Sequence, residues 1–360
     1  MWTRLLWGKK RNKAPSRPRK QEPSRLSRHE VRSLVRALYR GFLDREPEPK
    51  GLQSWMQKIE GGAFDTGLLE QFLRSPEYVA RAEPDTDGLC RGLASFLTSH
   101  GFQGPLTIVD VGAQMQKTKD HVYARLLDLV PYRIVGFEPL DERRREREEA
   151  EGGATLSMRP DFIGDGRTHV FHINEPDATS SLLPLNTEVT GHLMQWDRLK
   201  TVRQVSADTV TLDAAIDEAE RVDLLQLDIQ GFEHAALAGA PAVLARTLAV
   251  HCEVEFLELY RGQPLFSEID LLLRKAGFRF LDFYNPSRYA FNADAGRQSA
   301  DQLGWADAIY FKDRDLVSDP ADLLVQALIA TALYKKTSFA RWLAAAYDAR
   351  TGRSTASLFD

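Results

Sequence analysis

Cysteine is scarce in this sequence, since only 2 of the 360 residues are cysteines. Cys90 and Cys252 are too few for a disulfide framework or for a zinc site built from thiolates. Long apolar runs are missing too, and none approaches the roughly 20 residues that a membrane-spanning helix needs. The run Leu5-Leu6-Trp7 is too short to be the core of a signal peptide. We therefore predict a protein of the reducing cytoplasm.

A strong excess of one charge is absent as well, because 47 Lys and Arg face 51 Asp and Glu, for a net charge of −4. This balance gives no indication of nucleic acid as a partner. Basic residues are nevertheless concentrated in residues 1–28, which hold ten Lys or Arg, three prolines and one acid, Glu22. We predict that this segment is a disordered arm, whose contact with a membrane would at most be peripheral and electrostatic.

Residues 29–82 have the apolar periodicity of a small all-helical domain, with Val31, Leu34, Val35 and Leu38 at helical spacing. They resemble a DUF-type helical domain that looks related to phycobilisome-linker repeats. The resemblance depends on Leu38-Tyr39-Arg40, Arg45-Glu46-Pro47, Gly51-Leu52, Trp55, Phe72-Leu73 and Ser75-Pro76-Glu77-Tyr78. It implies a module that contacts a protein partner or positions the chain, although a plain helical packing domain explains the residues equally well.

After the boundary segment Asp85-Thr86-Asp87-Gly88, residues 88–313 alternate between strand and helix patterns, which predicts an α/β domain. Strands are predicted at 107–111, 132–137, 159–163, 169–173, 222–229, 248–256, 279–284 and 306–312, and helices at 118–129, 232–245 and 266–276. The last two strands have no convincing helix between them, so we expect them to be antiparallel. Residues 314–360 are predicted to form a C-terminal tail of one or two amphipathic helices.

The segment TIVDVGAQMQKTKD, Thr107 to Asp120, begins like a dinucleotide-binding turn but lacks its glycines. Asp110 ends a predicted strand and Gly112 follows, yet no G-x-G-x-x-G motif is completed. A pyrophosphate requires such glycines together with a helix N-terminus. The segment therefore argues against a nicotinamide-dependent oxidoreductase, which remains the least favoured alternative.

Carboxylates follow successive predicted strands, at the sheet edge where open α/β sheets bind their ligands. They are Asp110, Glu138, Asp165, Asp228, Glu253 and Glu255. Such a set would repel a diphosphate, so we favour a ligand with a ribose, an adenine and positive charge, as in S-adenosylmethionine. Glu138, after the second strand, suits the ribose hydroxyls, and Asp165, in the turn Gly164-Asp165-Gly166, suits an exocyclic amine.

Seven short motifs in order along residues 105–312 resemble the FkbM family of S-adenosylmethionine-dependent methyltransferases. They are V-D-V-G-A, G-F-E-P, G-D-G, L-D-I-Q-G-F-E, E-V-E-F, Q-P-L-F-S-E-I-D and W-A-D-A. The resemblance implies a class I methyltransferase fold, which is a Rossmann-like α/β sheet of seven strands with the last one antiparallel. It also implies O-methylation of a hydroxyl on a sugar, a glycan or a secondary metabolite.

The resemblance further implies roles for single residues, with Asp110 and Gly112 at the methionine end and Asp228 beside the transferred methyl group. The expected cofactor-binding residues are Asp110, Gly112, Ala113, Glu138, Asp165 and Gly166. Gln116 departs from the pattern, because many family members have a glycine at this position. A glycine-poor loop followed by a tyrosine, here Tyr123, resembles a subgroup of the family.

Transfer of a methyl group to a hydroxyl requires a base near the ends of the fourth and fifth main strands. We predict Asp228 as the base and Glu255 as the second catalytic candidate, while Glu253 and His251 lie on the same strand face as Glu255. Asp228 with either glutamate could instead hold a divalent cation, and no metal site is assigned. A scaffold that binds S-adenosylmethionine without turnover is the main alternative function.

Overall fold

A computed structural model describes residues 27–43, 45–60, 86–100, 102, 104–115, 121–194, 196–292 and 299–359. The contacts of the chain divide it into two compact units, residues 1–84 and 85–360. The predicted basic arm lies outside the described residues except for its last two positions, and so do residues 61–82 of the predicted helical domain. Gln116 is also outside them.

The first unit contains two described helices, α1 (Arg28–Leu43) and α2 (Pro49–Glu60). A reciprocal cap begins α1, because the Glu30 backbone N–H lies 3.3 Å from Ser27 Oγ while the Ser27 N–H donates to the Glu30 carboxylate at 2.7 Å. The apolar faces of the two helices meet in one small cluster, formed by Val31, Val35, Leu38, Tyr39 and Ile59.

The second unit is built on a seven-stranded sheet. Its strands are β1 (Leu106–Val111), β2 (Tyr132–Phe137), β3 (Leu156–Arg159), β7 (Val222–Leu227), β8 (Thr247–Glu255), β9 (Phe278–Tyr289) and β10 (Gln302–Lys312). They lie in the order β3-β2-β1-β7-β8-β10-β9, and β10 runs antiparallel to both of its neighbours. This order, with the last strand inserted antiparallel, confirms the predicted class I methyltransferase fold.

Helices cover both faces of this sheet because successive strand residues point to opposite sides. The helices are α3 (Thr86–Ser99), α4 (Ala124–Leu127), α5 (Asp141–Glu151), α6 (Thr187–Thr190), α7 (Leu212–Ala215), α8 (Glu233–Ala238), α9 (Pro241–Arg246), α10 (Phe266–Lys275), α11 (Pro320–Tyr334) and α12 (Thr337–Thr351). Side chains of α3, α4, α11 and α12 pack with Ile108 and Ile309 in one core layer. Side chains of α7 to α10 pack with Val109 and Tyr310 in the other.

The C-terminal helices differ from the amphipathic tail that the sequence predicts. Every residue of α11 from Leu323 to Tyr334 is buried, so this helix is enclosed on all sides. Gln326 is a fully buried polar residue near its middle, and its amide N–H groups donate to the carbonyls of Leu248 and Lys312 at 3.0 and 2.9 Å. The helix is therefore part of the core of the second unit.

A second sheet of three strands follows β3 and contains one strand that the sequence analysis did not predict. It consists of β4 (Phe162–Ile163), β5 (Thr168–Glu175) and β6 (Lys200–Val210), in the order β4-β6-β5. The predicted single strand 159–163 is in fact the end of β3 followed by β4. Strand β6 was missed because most of its residues are exposed or only half-buried, which removes the apolar alternation that marks a strand.

Three predicted segments need local correction. The helix expected at 118–129 is the short α4, and residues 116–120 are outside the described part of the chain. The helix expected at 232–245 is divided into α8 and α9, since Gly239 ends the first and Pro241 begins the second. The expected boundary turn at 85–88 is occupied from Thr86 onwards by the first turn of α3.

Among the described helices, none combines the length and the apolar character that crossing a lipid bilayer demands.

Candidate active site

A large cavity lies at the carboxyl ends of the parallel strands, where β1, β2, β7 and β8 meet the loops that follow them. Its volume is about 1100 Å³, whereas single small-molecule sites typically occupy about 300–1,000 Å³. The cavity therefore has room for two ligands side by side. It extends from the Glu138 end beside β2 to the Asp307 end on β10.

The polar floor of the cavity continues the apolar core of the same sheet face. Asp110 is paired in register with Gln226, and Gln226 with His251, so the three side chains form one row across β1, β7 and β8. Ile108 and Leu224, two residues earlier on their strands, belong to the core layer below this row. Along each of these strands, two residues on the same face of the sheet are therefore neighbours, and the first belongs to the apolar core while the second lines the cavity.

Gly112 allows two strand ends to approach each other closely. Its φ is +83°, in the left-handed region, and a Cβ atom at this position would lie 1.8 Å from the carbonyl oxygen of Asp228. The backbone N–H groups of Gly112 and Ala113 both donate to the carbonyl of Phe137, at 3.1 and 3.0 Å. A glycine is required here by the protein itself, and the contact brings Asp228 next to the end of β1.

Asp110 is held by a buried cation that the sequence analysis did not identify. Arg147, in α5, donates to Asp110 Oδ2 at 2.8 Å and to the Ala113 carbonyl at 2.8 Å. The hydroxyl of Tyr123 also donates to Asp110 Oδ2, at 2.5 Å, and itself accepts from Arg147. Asp110 and Arg147 are both fully buried, so the negative charge of Asp110 is neutralised within the protein. Asp110 Oδ1 has no partner among the described residues.

Glu138 follows β2 directly and lines the cavity. Its Oε1 accepts from the backbone N–H of Leu140 at 2.7 Å. Burial raises the pKa of Glu138 to about 7, although that hydrogen bond works in the opposite direction. The carboxyl group is thus fixed at the position where the sequence analysis expects it.

Three of the predicted cofactor residues do not line the cavity, namely Ala113, Asp165 and Gly166. Asp165 instead faces His169, 2.8 Å away, and accepts from the backbone N–H of Arg167 at 3.1 Å. It lies in the turn between β4 and β5, beyond the strand ends that form the cavity. Asp161 and Phe162, a few residues earlier in the chain, do line it.

The loop after β7 is stabilised from within by Glu233, the first residue of α8. Its two carboxylate oxygens accept from the backbone N–H groups of Ile229 and Gly231, at 2.7 and 2.9 Å. Gln230, with a φ of +55°, donates through its side-chain amide to Asp228 at 2.8 Å and to Glu253 at 2.7 Å. Its amide nitrogen therefore connects two carboxyl groups across β7 and β8.

Further carboxyl groups lie on the last strands at the same face. Glu253 is directly opposite Asp307 in the antiparallel ladder of β8 and β10, and both line the cavity together with Glu255. His251 is between these acids and the core, because its Nε2 lies 3.5 Å from Asp307 and its Nδ1 lies 3.0 Å from the Tyr334 hydroxyl.

Burial and crowding make these acids hard to ionise together. Burial raises the pKa of Glu253 and of Glu255 well above the ordinary value, and the negative charges of neighbouring acids add to the effect. Burial likewise raises the pKa of Asp228, and it raises that of Glu233 to about 7. Within the described residues, no group of three or more His, Cys, Asp and Glu side chains has an arrangement suited to a metal ion.

Five of the cofactor and catalytic candidates from the sequence analysis thus line one cavity, and several other lining residues were missed. Asp110, Gly112, Asp228 and Glu255 line it as well as Glu138. The lining residues that were given no role include Asp161, Phe162, Gln226, Trp305 and Asp307. Gln226 and Asp307 could have been found from strand alternation, since each is in register with a candidate on the neighbouring strand.

Comparison with family models gives two matches along the chain. Residues 110–280 match the methyltransferase FkbM domain, and residues 26–82 match a domain of unknown function, DUF4214. The first match covers β1 to β9 and therefore most of the cavity. The second covers both described helices of the first unit.

Among curated proteins, the chain is similar to the 2-O-methyltransferase NoeI of Sinorhizobium fredii, with 32% identity over 158 residues. The alignment covers 41% of this chain, which thus spans 65% of the length of that relative.

Similarity to solved structures is weaker. A precorrin-6y C5,15-methyltransferase from Geobacter metallireducens aligns with a TM-score of 0.31 and 11% identity, over 61% of this chain and 88% of that one. A TehB-like S-adenosylmethionine-dependent methyltransferase from Corynebacterium glutamicum aligns with a TM-score of 0.27 and 10% identity, over 69% and 100%. The strand order of the sheet is that of the class I methyltransferase fold, and residues 110–280 of this chain are similar to the methyltransferase FkbM domain.

Proposed function

We propose that the protein is an S-adenosylmethionine-dependent O-methyltransferase that acts on a hydroxyl group of a sugar or glycan. One observation carries the proposal: a single cavity on a class I methyltransferase sheet holds Glu138 at the end of β2 and Asp228 at the end of β7. The first carboxylate suits a ribose. The second belongs to Asp228, whose backbone carbonyl contacts Gly112 at the centre of the sheet edge.

The side chains of the cavity fit S-adenosylmethionine. Glu138 would accept from the ribose hydroxyls, and Asp161 with Phe162 would bind the adenine, in place of Asp165. The unpaired oxygens Asp110 Oδ1 and Gln226 Oε1 are neighbours in the β1–β7 ladder. Both are acceptors, so they suit the ammonium group at the methionine end.

When bound, S-adenosylmethionine supplies a methyl group that forms a bond to the acceptor oxygen while the sulfur retains the electron pair of the broken bond. Asp228 would take the proton that the acceptor hydroxyl loses. Gln230 donates to one oxygen of Asp228 at 2.8 Å, and the carboxyl group of Glu253 is a further hydrogen-bond neighbour of Asp228. The raised pKa of Asp228 makes it a stronger base than an ordinary carboxylate.

Glu255, the second predicted base, is less suited to this role. It lies on β8 and pairs with Trp305 across the ladder, two strands away from Gly112. Asp228 contacts Gly112 through its backbone. The acceptor class is inferred from the similarity to NoeI, a 2-O-methyltransferase, and from the hydrogen-bond acceptors that line the β8–β10 end of the cavity.

Calorimetry with S-adenosylhomocysteine tests the proposal. We expect the full chain to bind this product, and Glu138→Gln to weaken binding about 10- to 100-fold, because hydrogen bonds to a charged acceptor contribute about 1.5–3 kcal/mol. Asp161→Asn should weaken binding as well. Asp165→Asn should bind as the wild-type protein does, which separates the two candidates for the adenine contact.

Three results would contradict parts of this proposal. Binding of NADH without binding of S-adenosylhomocysteine would refute the methyltransferase proposal as a whole. Unchanged affinity in Glu138→Gln would refute the ribose assignment alone. Methyl transfer to glycan acceptors at the full rate by Asp228→Asn would exclude Asp228 as the base.

A further inference from the structure

The β8–β10 end of the cavity is rich in carboxyl groups, and the basic side chain among them is the imidazole of His251, whose Nε2 lies 3.5 Å from Asp307. The carboxyl groups belong to Asp228, Glu253, Glu255 and Asp307. Among the residues that line the cavity, the sole Arg or Lys is Arg143, at the opposite end, and its guanidinium is paired with Asp177 and Glu146. An acceptor with a phosphate or carboxylate at the β8–β10 end would therefore meet carboxyl groups whose repulsion no Arg or Lys of the lining offsets.

The unpaired polar atoms of the lining also disfavour an anionic ligand at this end of the cavity. Three buried side-chain atoms there lack a partner among the described residues, namely Asp110 Oδ1, Gln226 Oε1 and Glu255 Oε2. All three are oxygen acceptors. The side-chain amide of Gln263 is a neighbour of Glu255 and lowers its pKa, but Oε2 has no donor at hydrogen-bond distance among the described residues, so a ligand can supply one. Glu255 is only 2% exposed, and a buried carboxylate oxygen without a donor is strongly destabilising.

The cofactor cannot supply the donor for Glu255 if it occupies the site proposed above. Strands in a sheet are about 4.8 Å apart. Strands β8 and β10 therefore lie about 10 and 14 Å from β1. In the proposed site, Asp110 and Gly112 of β1 and the loop after it would hold the methionine end of the cofactor. The second ligand must therefore satisfy the acids of β8 and β10. Trp305 and Tyr284 line the same end, and aromatic rings next to carboxylates favour an organic cation.

We propose that the acceptor carries a protonated amine near the hydroxyl that is methylated, as in an amino sugar or an amino alcohol, and that Glu253, Glu255 and Asp307 bind its ammonium group. This inference rests on the proposed function, because it concerns the acceptor of the same reaction. The ammonium donates to the unpaired Oε2 of Glu255 and offsets the repulsion between the facing carboxyl groups of Glu253 and Asp307.

A pair of small probes that differ only in the cation tests the inference. Tris, protonated at neutral pH, carries three hydroxymethyl groups and an ammonium on one carbon, and 1,1,1-tris(hydroxymethyl)ethane replaces that ammonium with a methyl group. The full chain is first saturated with S-adenosylhomocysteine in a phosphate buffer. Binding of each probe is then measured by ligand-observed NMR titration, and the site is located in a crystal soaked with Tris.

We expect Tris to bind at least about tenfold more tightly than the neutral triol, with its nitrogen next to Glu255 in the crystal. Glu255→Gln should remove this preference, and so should Asp307→Asn, a second variant at a less buried position. Glu188→Gln makes the same chemical change at an exposed carboxylate that is paired with Arg261, and should keep the preference.

Equal affinity for the two probes, or no binding of either, would overturn the inference, and so would Tris bound away from the β8–β10 end. These results leave the proposed function intact as long as S-adenosylhomocysteine binds. If S-adenosylhomocysteine itself fails to bind, the proposed function is wrong and the acceptor inference falls with it.

Discussion

Carboxyl groups at the cavity differ in whether other groups of the protein donate hydrogen bonds to their oxygens. Both oxygens of Glu233 are occupied by backbone donors of the loop after β7, so this glutamate of the L-D-I-Q-G-F-E motif has a structural role. Asp110 Oδ2 is occupied by Arg147 and Tyr123. Asp110 Oδ1 and Glu255 Oε2 have no such partner among the described residues. A buried acceptor without a donor costs about 1–3 kcal/mol, so a ligand donor gains most at these two atoms.

Gly112→Ala should destabilise the protein and weaken S-adenosylhomocysteine binding. The added Cβ would lie 1.8 Å from the Asp228 carbonyl oxygen, and the residue would keep a positive φ. A strained backbone of this kind costs about 1–3 kcal/mol, and Asp228 must also move away from the cavity. Thermal unfolding and calorimetry measure the two effects.

Gly153→Ala is the matched control, because a Cβ at Gly153 meets no atom within 4 Å and its φ is not in the left-handed region. It should unfold at the wild-type temperature and bind normally. If the two alanine variants behave alike, the close approach of β1 and β7 is not a requirement of the fold.

At the level of single residues, the sequence was sufficient where a carboxylate directly follows an apolar strand. Asp110, Glu138 and Asp228 were identified in this way, since the strand pattern defines both the strand end and the edge of the sheet. Arg147 could not be identified, because it is one of four arginines in the helix DERRREREEAE and only the packing of α5 buries it. Asp165 was predicted because a G-D-G turn is conspicuous, and Asp161 was given no role. The wall of the cavity at Asp161 depends on where β4 joins the second sheet, which the local sequence does not reveal.

The strands of the seven-stranded sheet were predicted well from the sequence, whereas the character of the C-terminal helices was predicted poorly. The strands were found because parallel strands covered on both faces are nearly continuous apolar runs. Helix α11 was taken for part of an amphipathic tail, because its burial depends on contacts with α3, α12 and the sheet that the local pattern does not reveal. The long apolar stretch of α11 was the feature of the sequence that could have predicted a buried helix.

Deletion of residues 314–360 should therefore prevent the second unit from folding. It removes Leu323, Leu324, Leu328 and Ile329 of α11 and Leu343 of α12, all of them at most 1% exposed. At about 2 kcal/mol for each buried side chain, the loss is comparable to the usual 5–15 kcal/mol of total stability. Near-UV circular dichroism and size-exclusion chromatography should show loss of fixed packing or aggregation.

Deletion of residues 1–84 provides the comparison, since it removes more of the chain but leaves the core of residues 85–360 complete. The shortened protein should unfold cooperatively and bind S-adenosylhomocysteine. Cooperative unfolding of the 314–360 deletion at the wild-type temperature would show that α11 and α12 are dispensable.

The whole molecule should respond to pH through its buried acids. Burial raises the pKa of Glu138 and of Glu233 from 4.5 to about 7. Below pH 4.5 each group is protonated in both the folded and the unfolded protein, so the raised pKa carries no penalty. Above pH 7 the folded protein must hold the charge in a buried position, which costs about 3 kcal/mol for each group.

We therefore expect the ligand-free protein to lose stability as the pH rises from 5 to 8, which thermal unfolding across this range can measure. The variant Glu138→Gln should show a shallower decline, because one of the contributing groups is gone. Saturation with S-adenosylhomocysteine should also reduce the decline if ribose hydroxyls satisfy Glu138. A melting temperature that rises steadily across the range would mean that these carboxyl groups are ionised at no cost.

Strand β8 shows how binding chemistry can secure the alignment of a sheet. Its side chains alternate between Val250, Cys252 and Val254, which face the helices α7 to α10, and His251, Glu253 and Glu255, which face the cavity. A shift of β8 by one residue would exchange the two sets and place two carboxyl groups and an imidazole in an apolar layer. The wrong pairing is thus excluded by the cost of burying charge as well as by lost packing, so the same residues that prepare the protein for its ligands also protect it from misfolding.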